Sequence, residues 1–123
     1  MPAVDLIDLV DQRLAQIEED DPGTEAEATY FVGETGPWCF ITVQDEEVGE
    51  IIGYEFLETA ESWRRRDALA EYNEAAEEEI EVVVIVPDEV FVEVAELLYE
   101  QGEPNVQVSD YSAMELLPMP LVS

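Results

Sequence analysis

The run Ile80-Glu81-Val82-Val83-Val84-Ile85-Val86 carries one charge in seven residues and is otherwise β-branched and apolar. A strand with one wet face alternates polar and apolar side chains, so this one is expected in mid-sheet, covered on both faces. Pro87-Asp88-Glu89 directly after it supplies the proline and acids of a first helical turn. Phe91, Val94, Ala95 and Leu98 then recur at helical spacing until Gly102 and Pro104 end the run, and Asn105 to Ser109 reads as a short last strand. A buried strand returning through a helix to another strand restricts the chain to a mixed α/β (α+β) architecture.

The preceding residues fill in that frame. Ala3 to Glu19 places Ala3, Leu6, Ile7, Val10, Leu14 and Ile17 on one face of a first helix, which Asp20-Asp21-Pro22-Gly23 stops. Ala28 to Val32, Trp38 to Val43 and Gly49 to Phe56 read as three strands of a meander. Gly33 to Pro37 turns the first pair, and the acidic Gln44-Asp45-Glu46-Glu47 turns the second. Glu61 to Ala76 reads as one continuous helix with Leu69, Tyr72 and Ala76 inward. The order is α-β-β-β-α-β-α-β, expected as a single domain over residues 1–110 with an apolar tail over 111–123.

Charge separates the possible tasks. Thirty-two acids face four arginines, with no lysine and no histidine, for a net charge of −28. On a globule of radius of gyration about 14 Å these charges repel strongly at a screening length of ~8 Å and weakly at ~3 Å, the value at 1 M salt. Two readings follow: a protein suited to a salt-adapted cytoplasm, or an acidic mimic of DNA. The spread of acids over every segment favours the first. Direct nucleic-acid or membrane binding is disfavoured by the sign of the charge. No apolar stretch is long enough to span a bilayer, the N-terminus has no basic region ahead of an apolar run, and the lone Cys39 suits a reducing cytoplasm.

The α-β-β-β-α-β order with a central hairpin, together with the Val-Val-Ile-Val-Pro run at 83–87, resembles the PD-(D/E)xK phosphodiesterases of restriction-endonuclease-like fold. In wording it is most similar to small archaeal members related to Holliday-junction resolvases. The resemblance implies an αβββαβ core with an added helix and short last strand. It also maps the family's Glu-x-Lys onto Glu55-Phe56-Leu57, its Pro-Asp onto Pro37-Trp38, and a Gln-x-x-x-Tyr helix motif onto Ala68 to Tyr72. Active members use two carboxylates to hold Mg²⁺ and a lysine to orient water. Here the aspartate, lysine and glutamine positions hold Trp38, Leu57 and Ala68, so the implied protein is not an enzyme and needs no cofactor.

A hairpin centred between Glu46 and Glu47 would put Trp38 opposite Glu55. On that register Glu34 is the acid best placed to join Glu55 as a weak metal pair, Asp45 lying at the far end of the hairpin. In so acidic a chain Glu55 is expected as an exposed acid, and Trp38 and Leu57 as packed side chains. Arg64-Arg65-Arg66 is expected to pair locally with Glu61, Asp67 and neighbouring acids, and Cys39 to be buried. The tail holds a single charge in thirteen residues. Its Met114, Leu116, Leu117, Met119 and Leu121, with Trp38, are expected to cover the domain itself or to meet a second copy or another protein. Two functions are therefore carried forward: a catalytically inactive nuclease-like domain acting as an interaction or scaffold protein, and an acidic DNA-mimic inhibitor.

Overall fold

The computed structural model describes residues 4–119. Helix α1 (Leu6–Asp20) is followed by strands β1 (Thr24–Gly33), β2 (Gly36–Asp45) and β3 (Ile51–Leu57). Helix α2 (Ala68–Ala76), strand β4 (Glu81–Val86), helix α3 (Phe91–Gln101) and strand β5 (Val106–Asp110) complete the chain, with short 3₁₀ turns at Ser62–Arg64 and Asp88–Val90. The five strands form one mixed sheet in the order β1-β2-β3-β4-β5. β2 runs antiparallel to β1 and β3, while β3, β4 and β5 are mutually parallel. This is an α+β fold. No helix among the described residues is long and apolar enough to cross a membrane.

β4 lies between β3 and β5 and is buried on both faces, as its composition requires. Val82, Val84 and Val86 point into a core shared with α2 and α3, and Ile85 into a second core beneath α1. One helix therefore covers one face of the sheet and two cover the other. α3 ends where Gly102 passes Leu98 so closely that an added Cβ would stand 2.7 Å from the Leu98 carbonyl oxygen.

Four expectations need correction. The buried face of α1 is Leu6, Leu9, Val10 and Ile17, and Ile7 points to solvent at 63% exposure. That face also contains Arg13, at helical spacing between Val10 and Ile17. β1 begins four residues early, because Thr24 to Ala28 alternates, with Ala26 and Ala28 beneath α1 and Glu25 and Glu27 outward. The helix expected over 61–76 is broken: after the 3₁₀ turn Arg65 is extended (ψ 148°), and α2 starts only at Ala68.

The hairpin register is the fourth. Glu55 pairs with Ile41 and Leu57 with Cys39, three residues from the symmetric expectation. The cause is the turn. Asp45 closes it by accepting from the N–H groups of Glu47 (2.9 Å) and Val48 (3.1 Å), and Gly49 supplies a φ of 71°. A bulge between Val43 and Gln44 absorbs the remaining offset.

Candidate functional site

With this register Trp38 and Glu55 lie on opposite faces of the sheet. Glu55 points toward α1, where Arg13 donates Nε to Oε1 at 2.6 Å and Nη2 to Oε2 at 2.7 Å. It is buried, against the expectation of an exposed acid. Nη1 of Arg13 is held in turn by Gln16 Oε1 at 3.0 Å. Leu57, two residues on, is fully buried against Leu9, Val10, Cys39 and Ile41. Its packing beneath α1 agrees with expectation. Burial raises the Cys39 thiol to about 12, so it stays protonated and inert.

Glu34 does not approach Glu55. It is exposed in the β1–β2 turn, and Gly36, where β2 starts, is five residues from Ile41, the partner of Glu55. At ~3.3 Å per residue that is about 17 Å. No group of three or more His, Cys, Asp or Glu able to hold a metal ion occurs among the described residues.

The other face holds a charged cluster built around Glu58, a residue the sequence reading missed. Glu58 is fully buried just past β3, and its backbone N–H continues the parallel ladder to Ile85. Its carboxylate accepts from Arg65 Nη1 (2.7 Å), Ser62 Oγ (2.7 Å) and Tyr72 Oη (2.6 Å). Arg65 also donates to Glu71 (2.8 Å) and to the Ser62 carbonyl (2.9 Å), and lies over the Trp38 ring at 3.8 Å. The expected helix is broken at this cluster: Arg65, extended at ψ 148°, reaches Glu58, Glu71 and Trp38 together. Burial alone would lower the Arg65 pKa, but its hydrogen bonds to Glu58 and Glu71 outweigh that and raise it. Burial and the Glu58 charge push Tyr72 well above the ordinary phenol value.

Among the remaining mapped residues, Ala68 is buried at the start of α2 and Tyr72 is fully buried one turn later. Arg64 pairs with Glu61 (3.5 Å), as expected, and also with Glu93 (3.0 Å). Arg66 is exposed and makes no ion pair among the described residues. Asp67 takes no part in these pairs. Trp38 is half-buried, stacked on Phe31 with centroids 5.2 Å apart, and touches neither α1 nor the tail.

The tail lies on its own chain as far as it is described. Tyr111 and Leu116 are buried in the α1 core and Met114 packs against it. Gln12 binds both backbone groups of Leu117 at 2.8 Å, Gln16 donates to the Met114 carbonyl at 2.8 Å, and Asp5 N–H donates to the Met119 carbonyl at 2.7 Å. Asp88 anchors the start through the Ser112 N–H and hydroxyl, bonds that hold its carboxyl below the usual range. Leu117 and Met119 keep exposed side chains, and Leu121 lies outside the described residues.

Beside Trp38 runs an open groove of about 640 Å³ between the sheet and α2. Phe31, Phe40, Ile51 and Tyr54 are among its apolar lining residues, and Glu71 and Glu74 line it from α2 and Glu78 from the turn that follows. A smaller hollow of about 470 Å³ reaches Arg13 and Glu55 on the opposite face. Compared with known proteins, the chain matches no family model, no curated protein and no solved structure.

Proposed function

We propose that the chain is a catalytically inactive, nuclease-like domain of restriction-endonuclease type that acts as an interaction or scaffold protein in a salt-adapted cytoplasm. One observation carries the reading: Arg13 occupies both oxygens of Glu55 beneath α1, next to the fully buried Leu57. In an active member of the family the glutamate would share a metal ion with an aspartate, and a lysine would stand where Leu57 is. Here the facing β2 positions are Ile41 and Cys39, both fully buried. A guanidinium supplies the positive charge that a metal would otherwise bring, and an apolar side chain stands where a lysine would orient the attacking water. The α-β-β-β-α-β order and the parallel β3–β4 pair joined through α2 support the fold part of the reading.

The test is incubation of the purified protein with Mg²⁺ or Mn²⁺ and duplex, branched or single-stranded DNA, across salt concentrations. The expected result is no cleavage. Reproducible cleavage abolished by Glu55→Gln would overturn the proposal.

A further inference from the structure

The two faces of the sheet are covered unequally. α1 lies beneath β1 and β2, whereas on the other face α2 and α3 pack over the β3–β5 side, where Tyr72 meets Phe56 edge-on and Val94 and Leu98 join the core. Apart from the 3₁₀ turn at Ser62–Arg64, whose neighbour Arg65 lies over Trp38 at one end, no helix among the described residues covers the strip over β1 and β2 beside α2. Two strands at ~4.8 Å spacing make a strip about 10 Å wide, the diameter of one α-helix with its side chains. Its floor is apolar, with Phe40 stacked on Tyr54 (5.3 Å between centroids) and Ile51 and Phe31 36% and 41% exposed. Acids flank it on two sides. Glu74 on α2 and Glu78 in the turn after it line one side, next to Glu71, which Arg65 already pairs, and Glu25 and Glu27 share the Phe31 face of β1.

We propose that this strip is the seat of a basic amphipathic helix from a partner protein. The proposal deepens the interaction reading above by giving the partner's chemistry. Such a helix would lay an apolar face on the aromatic floor and place lysines or arginines against the acids on either side. At multimolar salt apolar burial supplies the affinity, while charges within ~3 Å contact still select the partner. Nucleic acid carries the wrong charge. A second copy of this chain offers Arg66 as its one arginine outside the ion pairs of the described residues, too few to meet acids on both sides, since Arg13, Arg64 and Arg65 are engaged with Glu55, Glu93 and Glu58. Its helices present Asp8, Asp11, Glu93, Glu96 and Glu100 instead.

The test uses two synthetic helices of about 18 residues, with the same leucine stripe but lysine flanks in one and glutamate flanks in the other. They are titrated against the full chain at about 2 M KCl. The lysine peptide should bind about tenfold or more tightly than its twin, and both Ile51→Arg and Glu74→Lys should weaken it about tenfold without changing the melting temperature. Benzoylphenylalanine placed at Thr42, with Glu96 on α3 as control position, should cross-link a basic amphipathic segment in source-cell extract at native salt. Equal binding of the twins or indifference to the two variants would overturn the proposal. So would capture at Thr42 of a second copy, of nucleic acid or of an acidic segment. DNA cleavage by the protein would instead sink the inactive-nuclease reading and leave the groove untouched.

Discussion

Arg13 and Glu55 hold each other in place 42 residues apart, and neither has a comparable second partner of opposite charge. Removing one therefore leaves a buried charge uncompensated. Arg13→Met should cost about 3–5 kcal/mol by chemical denaturation, whereas adding Glu55→Met should recover most of the loss. If the double variant is as unstable as the single, the pair is not an isolated unit and the account of the filled site fails. The buried hydroxyls and thiol make a second residue-scale prediction. Burial raises Tyr72 and Tyr111 above the ordinary 10.0 and Cys39 from 9.0 to about 12. Raised groups contribute stability that is complete below their unfolded values and lost as pH climbs toward the folded ones. Stability should thus fall from about pH 9, first through Cys39 and then through the tyrosines, by up to ~1.4 kcal/mol per pH unit for each group. Cys39→Ala should flatten the first part of that fall, and absorbance of tyrosinate should show two of the five tyrosines ionising only as the protein unfolds. Ionisation of all five ahead of unfolding would contradict the burial. Neither Glu55 nor Glu58 could be singled out from spacing, because each owes its burial to an arginine that folding brings to it. The usable signal was scarcity: with four cations for 32 acids, a cation on an apolar helix face such as Arg13 marks a buried carboxylate opposite.

Elements were legible wherever local periodicity decides them, as at β4 and α3, because burial on both faces or on one helical stripe leaves a pattern in adjacent residues. What depends on distant partners was not. The β2–β3 register follows from Asp45 capping its own turn and from a bulge, and the symmetric hairpin misplaces it by three residues. The break before α2 lies at the Glu58 cluster, which no helical periodicity over 61–76 reveals. The tail was recognisable as a covered segment from its lack of charge, but its path depends on Gln12 and Gln16, whose amides bind its backbone. Leu116, 2% exposed, is its apolar anchor in the α1 core. Leu116→Ala should cost about 2–4 kcal/mol through the lost side chain and the cavity left behind. Deleting residues 114–123 should lower the melting temperature further and expose the core beneath α1, with aggregation or unchanged monomer mass by light scattering. A truncated chain that is fully stable but falls from dimer to monomer would show that the tail serves another copy instead.

For the molecule as a whole, only Glu55 and Glu58 of the 32 acids are buried, so the others face solvent in every segment of the described chain. Three of the four arginines are engaged in ion pairs, leaving the surface nearly without counter-charge. Such a surface repels itself across distances comparable with the screening length, ~10 Å at 0.1 M salt and ~3 Å at 1 M. The repulsion should therefore be removed mostly below about 1 M, and the melting temperature should climb steeply over that range, by roughly 10 °C or more, before levelling. Replacing six exposed glutamates of α2 and α3 by glutamine should shrink the steep part while leaving the plateau in place, because the plateau is set by the two cores and the two buried ion pairs. A chain serving as a DNA mimic at modest salt must instead be fully stable near 0.1 M and lose its partner as salt rises, since that binding would rest on the long-range field. A melting curve flat from 0.1 M upward, with the glutamine variant indistinguishable from the parent, would remove salt adaptation as the reason for the acidity.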